Sequence, residues 1–241
     1  MRFKKGFGKI KLILLMVILA GVMFTSHKLG EYLYGHAGEA DVETAGSIID
    51  ENEENTDKIR IVVDSGHGGS DPGKVGINGA LEKDVNLKIA KKIEKLLEKN
   101  HVQVIMTRED ENGLADSKVE DMKKRVSIIN EKKPVLAVSI HQNSYGQESI
   151  HGAQVFYYSH SKEGEAAAQV MQEALLSIDP GNKRQAKAND TYYMLKKTEV
   201  PLIIVECGFL SNQEEAEKLV TEEYQMKIAE AVCEGVLGYI R

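Results

Sequence analysis

Between Lys58 and Arg241 the apolar positions change period again and again. Ile59-Arg-Ile-Val-Val63 is a short apolar run with strand character. Leu81, Val85, Ile89, Ile93 and Leu96 then recur at helical spacing and predict a helix reaching about Asn100. Val102 to Met106 reads as strand. Met122, Val126 and Ile129 mark a helix ending near Pro134, and Leu136 to Ile140 is strand again. Ala153 to Tyr158 follows as strand after Gly152. Ala166, Val170, Ala174 and Leu175 mark a helix, with polar loop from there to Thr191. Leu202 to Val205 is apolar at every position, which predicts a strand covered on both faces and central in its sheet. Helices marked by Ala216, Leu219 and Val220, then by Ile228 to Tyr239, close the chain. Such alternation predicts an α/β fold. We expect a single three-layer domain with a mixed, mostly parallel twisted sheet of about six strands and helices on both faces.

The first residues follow a different pattern. Arg2, Lys4, Lys5, Lys9 and Lys11 precede an apolar run from Leu12 to Phe24, with no acid among them. This is the layout of a secretory signal, whose positive flank stays on the cytoplasmic side. The run is short for a spanning helix, which needs about 20 residues. No clear small-x-small cleavage site follows it, so a signal anchor and a cleaved signal both fit. Residues 35–57 carry eight acids and no Lys or Arg, the composition of a solvated spacer. The expected organisation is therefore a signal or membrane anchor at 1–34, an acidic flexible linker at 35–57 and a folded domain at 58–241. Beyond residue 28 the chain holds 25 bases against 37 acids, a net charge of −12, which argues against nucleic acid as a partner. Two cysteines, Cys207 and Cys233, make no disulfide framework. Both sit in apolar elements and read as free buried thiols.

Four polar residues stand out against these apolar surroundings: His67, Glu82, His141 and Glu206. His67, His141 and Glu206 each fall at or just past the end of a predicted strand, the edge where open α/β sheets bind ligands. Taken singly, each has a plain structural explanation. The glycines around His67 suit a tight turn. Glu82 opens a helix, where a carboxylate meets the positive end of the dipole. His141 reads as a hydrogen-bonded, half-buried histidine. Glu206 is the hardest to explain structurally, because a charge inside Leu202-Ile-Ile-Val-Glu-Cys-Gly is costly unless it is paired or used. Taken together, two histidines and a carboxylate are a ligand set for zinc, and a second carboxylate supplies the proton shuttle of a zinc hydrolase. The glycine loop lacks the spacing of a phosphate-binding loop.

Four motifs carry these residues in order: Asp-x-Gly-His-Gly-Gly-x-Asp-x-Gly from Asp64, Glu-Lys-Asp-Val-Asn-Leu from Glu82, Ser-Ile-His-x-Asn from Ser139, and Val-Glu-x-Gly-Phe-Leu-Ser-Asn from Val205. Over about residues 58–240 the chain resembles the zinc-dependent N-acetylmuramoyl-L-alanine amidases of the type 3 family. It is most similar to the germination-specific cortex amidases of endospore formers. The resemblance implies Zn2+ on His67, Glu82 and His141, with Glu206 catalytic. It implies hydrolysis of the amide between N-acetylmuramic acid and L-alanine in peptidoglycan, as a first step towards muramic-δ-lactam in spore cortex. A separate deacetylase would act in the same pathway, and an accessory sporulation protein is a further expected partner. The expected location is outside the cytoplasmic membrane, between forespore and mother cell. Ser65 departs from the family pattern, where proline is common, and implies a changed loop rigidity. No room is foreseen for the plugging helix that some members insert before the last strand. Two other readings remain open on the residues alone: a zinc peptidase acting on stem peptides, and a non-catalytic peptidoglycan-binding module.

Overall fold

The computed structural model describes residues 59–241; the anchor and linker assigned to 1–57 lie outside the described residues. Six strands form one sheet: β1 (Arg60–Ser65), β2 (Gln103–Met106), β3 (Leu136–Asn143), β4 (Gln154–Tyr157), β5 (Lys187–Ala188) and β6 (Leu202–Phe209). Six helices accompany them: α1 (Glu82–Lys99), α2 (Lys118–Lys132), α3 (Lys162–Leu176), α4 (Tyr193–Lys197), α5 (Gln213–Leu219) and α6 (Glu222–Ile240). The strand order is β2-β1-β3-β6-β4-β5. Only β4 against β6 is antiparallel, so the sheet is mixed and mostly parallel. Helix starts follow local chemistry: Ser117, Ser161, Asn212 and Thr221 accept from the first turns of α2, α3, α5 and α6. Among the described residues no helix is long and apolar enough to cross a membrane.

The strand period of two sorts side chains between two unequal layers. Ile61 and Val63 of β1, Leu136, Val138 and Ile140 of β3, and Ile203 and Val205 of β6 pack against α1, α3 and α6 in the larger core. The intervening residues, Val62, Ala137, Leu202 and Ile204, face α2 and α4, where the apolar layer is small. Continuing along the same face brings Asp64, Ser139, His141 and Glu206. The thin side of the sheet therefore receives Asp64, Ser139, His141 and Glu206, while Gln142 of β3 turns to the other face and donates to Asn86 of α1. Cys207 and Cys233 are free and buried.

Some boundaries differ from expectation. β3 and β6 run past Ile140 and Val205, so His141 and Glu206 lie within the ladder as direct neighbours rather than at its end. Their polar side chains break the apolar pattern, while their backbones keep pairing. The sixth strand is the two-residue β5, paired with β4. It lies inside the stretch read as polar loop, and the one-turn helix α4 fills the gap after Thr191 to which no element was assigned. Both are too short to show a period.

Beneath the polar end of β1 lies an ionic cluster with little access to water. Asp64 is fully buried. It accepts from Thr107 Oγ1 at 2.6 Å, Ser139 Oγ at 2.5 Å and Arg125 Nη1 at 2.7 Å. Arg125, 2% exposed, also pairs through Nε with Asp121 of its own helix. The pair is one of the few links that tie α2 to β1, because α2 buries only Val126 and Ile129 beside Arg125. Burial by itself would raise the Asp64 carboxyl, but the Arg125 charge and the two hydroxyls outweigh it and hold the group at about 2.

A lowered folded-state pKa gives stability that is complete above the unfolded value near pH 4 and is lost as pH falls through about 2. The expected contribution is about 2 kcal/mol. Urea unfolding of the metal-free protein at pH 6, 4 and 3, beside the double variant Asp64→Asn/Arg125→Met, should show a shallower acid dependence in the variant. Parallel curves would contradict this account.

Candidate metal centre

The turn after β1 delivers the first polar ligand atoms. Gly66 N donates to Ile140 O, continuing the ladder one residue past the strand, and the chain then turns sharply at His67 with φ of 63°. A histidine in the left-handed region costs about 1–3 kcal/mol and persists only where its surroundings over-determine it. Gly66 is required for a different reason. A Cβ there would lie 2.3 Å from Cε1 and Nε2 of His141, which packs flat on this backbone. The next residues wrap back towards α1. Lys74 N donates to Glu82 Oε2 at 2.7 Å, and Gly73, with φ of 66°, leaves space that a Cβ would contest with the same oxygen at 2.5 Å.

His67, Glu82 and His141 converge from three elements. Their ligand atoms all lie within 4.8 Å of one another. Glu82 Oε1 is 3.2 Å from His67 Nε2 and 2.9 Å from His141 Nδ1, and it accepts from Gln142 N at 3.1 Å. The two rings meet edge to face with centroids 5.0 Å apart. His67 Nδ1 is held by Asp71 Oδ2 at 2.8 Å, which leaves Nε2 turned to the centre. A carboxylate behind a histidine is the usual outer partner of a metal-ligating imidazole. Asp71 is itself fixed by Gly73 N and by Lys118 Nζ, the latter at 2.7 Å. Two imidazoles and one carboxylate at this spacing fit a divalent cation with an open coordination position, as a hydrolytic metal site requires.

The fourth polar residue is treated differently. Glu206 is 7% exposed, and its Oε2 has no hydrogen-bond partner among the described residues. It faces the same cleft of about 430 Å³ as His67, Glu82 and His141. Burial is the main reason that its carboxyl is pushed up to about 7; nearby His141 opposes the shift and Glu82 adds to it. Glu82 goes the other way. Burial disfavours its charge, but hydrogen bonds and charges from His141 and His67 hold it well below the usual carboxylate range. His141 is likewise held up to about 9 by Glu82, against the effect of burial. Two carboxylates in one cleft are thus pushed to opposite proton affinities, Glu82 held anionic and Glu206 made easier to protonate.

The structure thus brings together all four residues singled out from the sequence, and adds some that sequence reasoning missed. Asp71 lies four residues beyond His67 in the same motif, and its spacing was legible. Arg125 interrupts the apolar stripe of Met122, Val126 and Ile129 on α2, the same signal that marked Glu206. Tyr192 and Tyr193 line the cleft from the start of α4, and Tyr192 packs edge to face on Phe156. Asn189 Oδ1 accepts from Thr191 N and Tyr192 N and fixes this corner. Its wall position depends on a long-range return of the chain that no local pattern reveals.

The geometry has close counterparts in known proteins. Residues 61–238 match the family model described as N-acetylmuramoyl-L-alanine amidase. The germination-specific N-acetylmuramoyl-L-alanine amidase of Bacillus subtilis is 37% identical over 187 residues, covering 74% of this chain and 78% of the relative. Among solved structures, the CwlD amidase of Clostridioides difficile in complex with the GerS lipoprotein superposes with a TM-score of 0.73 at 36% identity, covering 76% of this chain and 98% of that one. The catalytic domain of the amidase CwlV from Bacillus (Paenibacillus) polymyxa gives 0.68 at 29% identity, over 75% and 97%. With a family match over residues 61–238 and relatives of this activity at this identity and coverage, the chain belongs to the N-acetylmuramoyl-L-alanine amidases and is a peptidoglycan amide hydrolase.

Proposed function

We propose that the enzyme is a zinc amidase, with His67, Glu82 and His141 as the protein ligands and Glu206 as the general base and acid. The observation that carries this reading is the convergence of three ligand atoms beside a buried carboxylate with an unpartnered oxygen. Zinc bound there supplies Lewis acidity, which acidifies a water and polarises the scissile carbonyl. The chain's own residues do the rest. Asp71 keeps His67 in the tautomer that presents Nε2, and Glu82 stays anionic. Glu206 accepts the proton of the attacking water and returns it to the departing amine of L-alanine. Burial raises the proton affinity of this carboxyl, which suits it to take up a proton. The walls at Tyr192 and Tyr193 limit water and offer apolar contact to the sugar and peptide.

The biological setting extends this proposal. Likeness to a germination-specific amidase and to CwlD supports action on spore cortex, removing stem peptides ahead of muramic-δ-lactam formation, with a deacetylase completing the ring. CwlD is solved with a lipoprotein bound, which supports an accessory partner for this chain as well. The N-terminal cations and apolar run support export, with the domain anchored or released outside the cytoplasmic membrane and lifted by an acidic linker reaching on the order of 25–30 Å.

Paired variants test the chemistry. Residues 58–241 should bind one zinc per chain. His141→Ala should lose most of that affinity, while Glu206→Gln should keep zinc and fold but release peptide on the order of 10²–10⁴-fold more slowly. Normal zinc content in the first, or retained turnover in the second, would remove that residue from its role. Mass spectrometry of muropeptides from spores lacking the protein should show intact stem peptides and no muramic lactam; an unchanged profile would reject the cortex assignment. A reporter fused after Arg241 should be active only outside the cytoplasmic membrane, and activity in the cytoplasm would refute the export reading.

A further inference from the structure

Helix α2 contributes no residue to the ligand set, yet one of its faces is built around a single ligand. Lys118, Asp121 and Arg125 stand at i, i+3 and i+7, on one side of the helix. Arg125 Nη2 donates to the carbonyl of His67 at 2.5 Å, and Nη1 donates to Ser65 O at 2.7 Å as well as to Asp64 Oδ1. Asp121 accepts from Arg125 Nε and so fixes the plane of the guanidinium. Lys118 reaches Asp71, which holds the His67 ring through Nδ1. Backbone and ring of the same histidine are thus both held from α2. A second arginine, Arg108, completes the clamp by donating to Ser65 O and Gly66 O.

We infer that Arg125, with Lys118 acting through Asp71, positions His67 for metal capture, because its buried guanidinium grips the carbonyl of a ligand whose backbone sits in the left-handed region. The inference rests on the metal-centre reading above. Arg125 borders the cleft, but a substrate-binding role fits it poorly. It is 2% exposed, and four of its five N–H donors are committed to Asp121, Asp64, Ser65 and His67. The planar fork is what allows one side chain to bridge a carboxylate and two carbonyls. A lysine would keep the charge beside Asp64 and lose the second arm.

The test is the zinc affinity of metal-free protein, measured by competition with a chromophoric chelator. Arg125→Lys should fold and bind zinc roughly 10- to 100-fold more weakly. Lys118→Met, at an exposed position where folding is not at risk, should weaken zinc severalfold. Ile203→Ala, destabilised in the central strand far from these contacts, should keep the wild-type affinity below its melting temperature. This separates positioning from general loss of stability. Wild-type zinc affinity in Lys118→Met and in any folded Arg125→Lys would overturn the inference, as would an equal loss in Ile203→Ala. A wild-type chain that takes up no zinc would instead overturn the metal reading on which it rests.

Discussion

The buried ion pair between Asp64 and Arg125 is the constraint around which the site is organised. Neither charge has water to fall back on, so each must be satisfied inside the fold, and the penalty for losing one partner is far larger than the net gain from the pair. Asp64 ends β1 on the thin face of the sheet, and Arg125 comes from α2. Their contact fixes how α2 sits over the strand ends. From that seat follow the left-handed turn at His67, the placement of Asp71 behind its ring, and the width of the cleft that α2 shares with α4.

The uneven layering of the domain explains why the chemistry lies where it does. Three helices bury the larger apolar face, and the larger core supplies stability. The other face is covered by α2 and the one-turn α4, and its apolar cluster ends at Ile204. Beyond that point the strands continue with polar residues, His141 and Glu206 side by side in the ladder. A buried carboxylate is tolerable there because the adjacent histidines offset its charge and because it protonates near neutral pH. The same burial that would be a defect in a purely structural strand raises the proton affinity of Glu206. Ser65 Oγ is buried without a hydrogen-bond partner among the described residues.

Much of this was legible in the residues. The two hydrophobic periods gave the α/β class and five of the strands, since long apolar elements announce their period. The central placement of β6 followed from its double-faced apolarity, and the burial of both thiols from their neighbours. Glu206 was singled out by the cost of a charge in an apolar strand, and the structure places it in the cleft. Where local pattern is weak, the reading failed to resolve detail: β5 and α4 are shorter than a recognisable repeat, and the ends of β3 and β6 were set too early because polar side chains masked a backbone ladder that continues beneath them.

The sequence by itself singled out the four residues that meet in the cleft: Glu206 because a charge departs from the apolar pattern of its strand, a local property, and His67, Glu82 and His141 as a set of residue types beside it. Tertiary structure alone decided their geometry. That Glu82 Oε1 stands between two imidazoles, that Arg125 holds the backbone of His67 while Lys118 holds its ring through Asp71, and that two carboxylates in a single cleft are driven to opposite proton affinities all depend on groups from 4 to 124 residues apart in the chain. Distances and burial across such separations are set by the packing of whole layers. Electrostatic shifts follow from those distances, so they become readable only once the fold has closed.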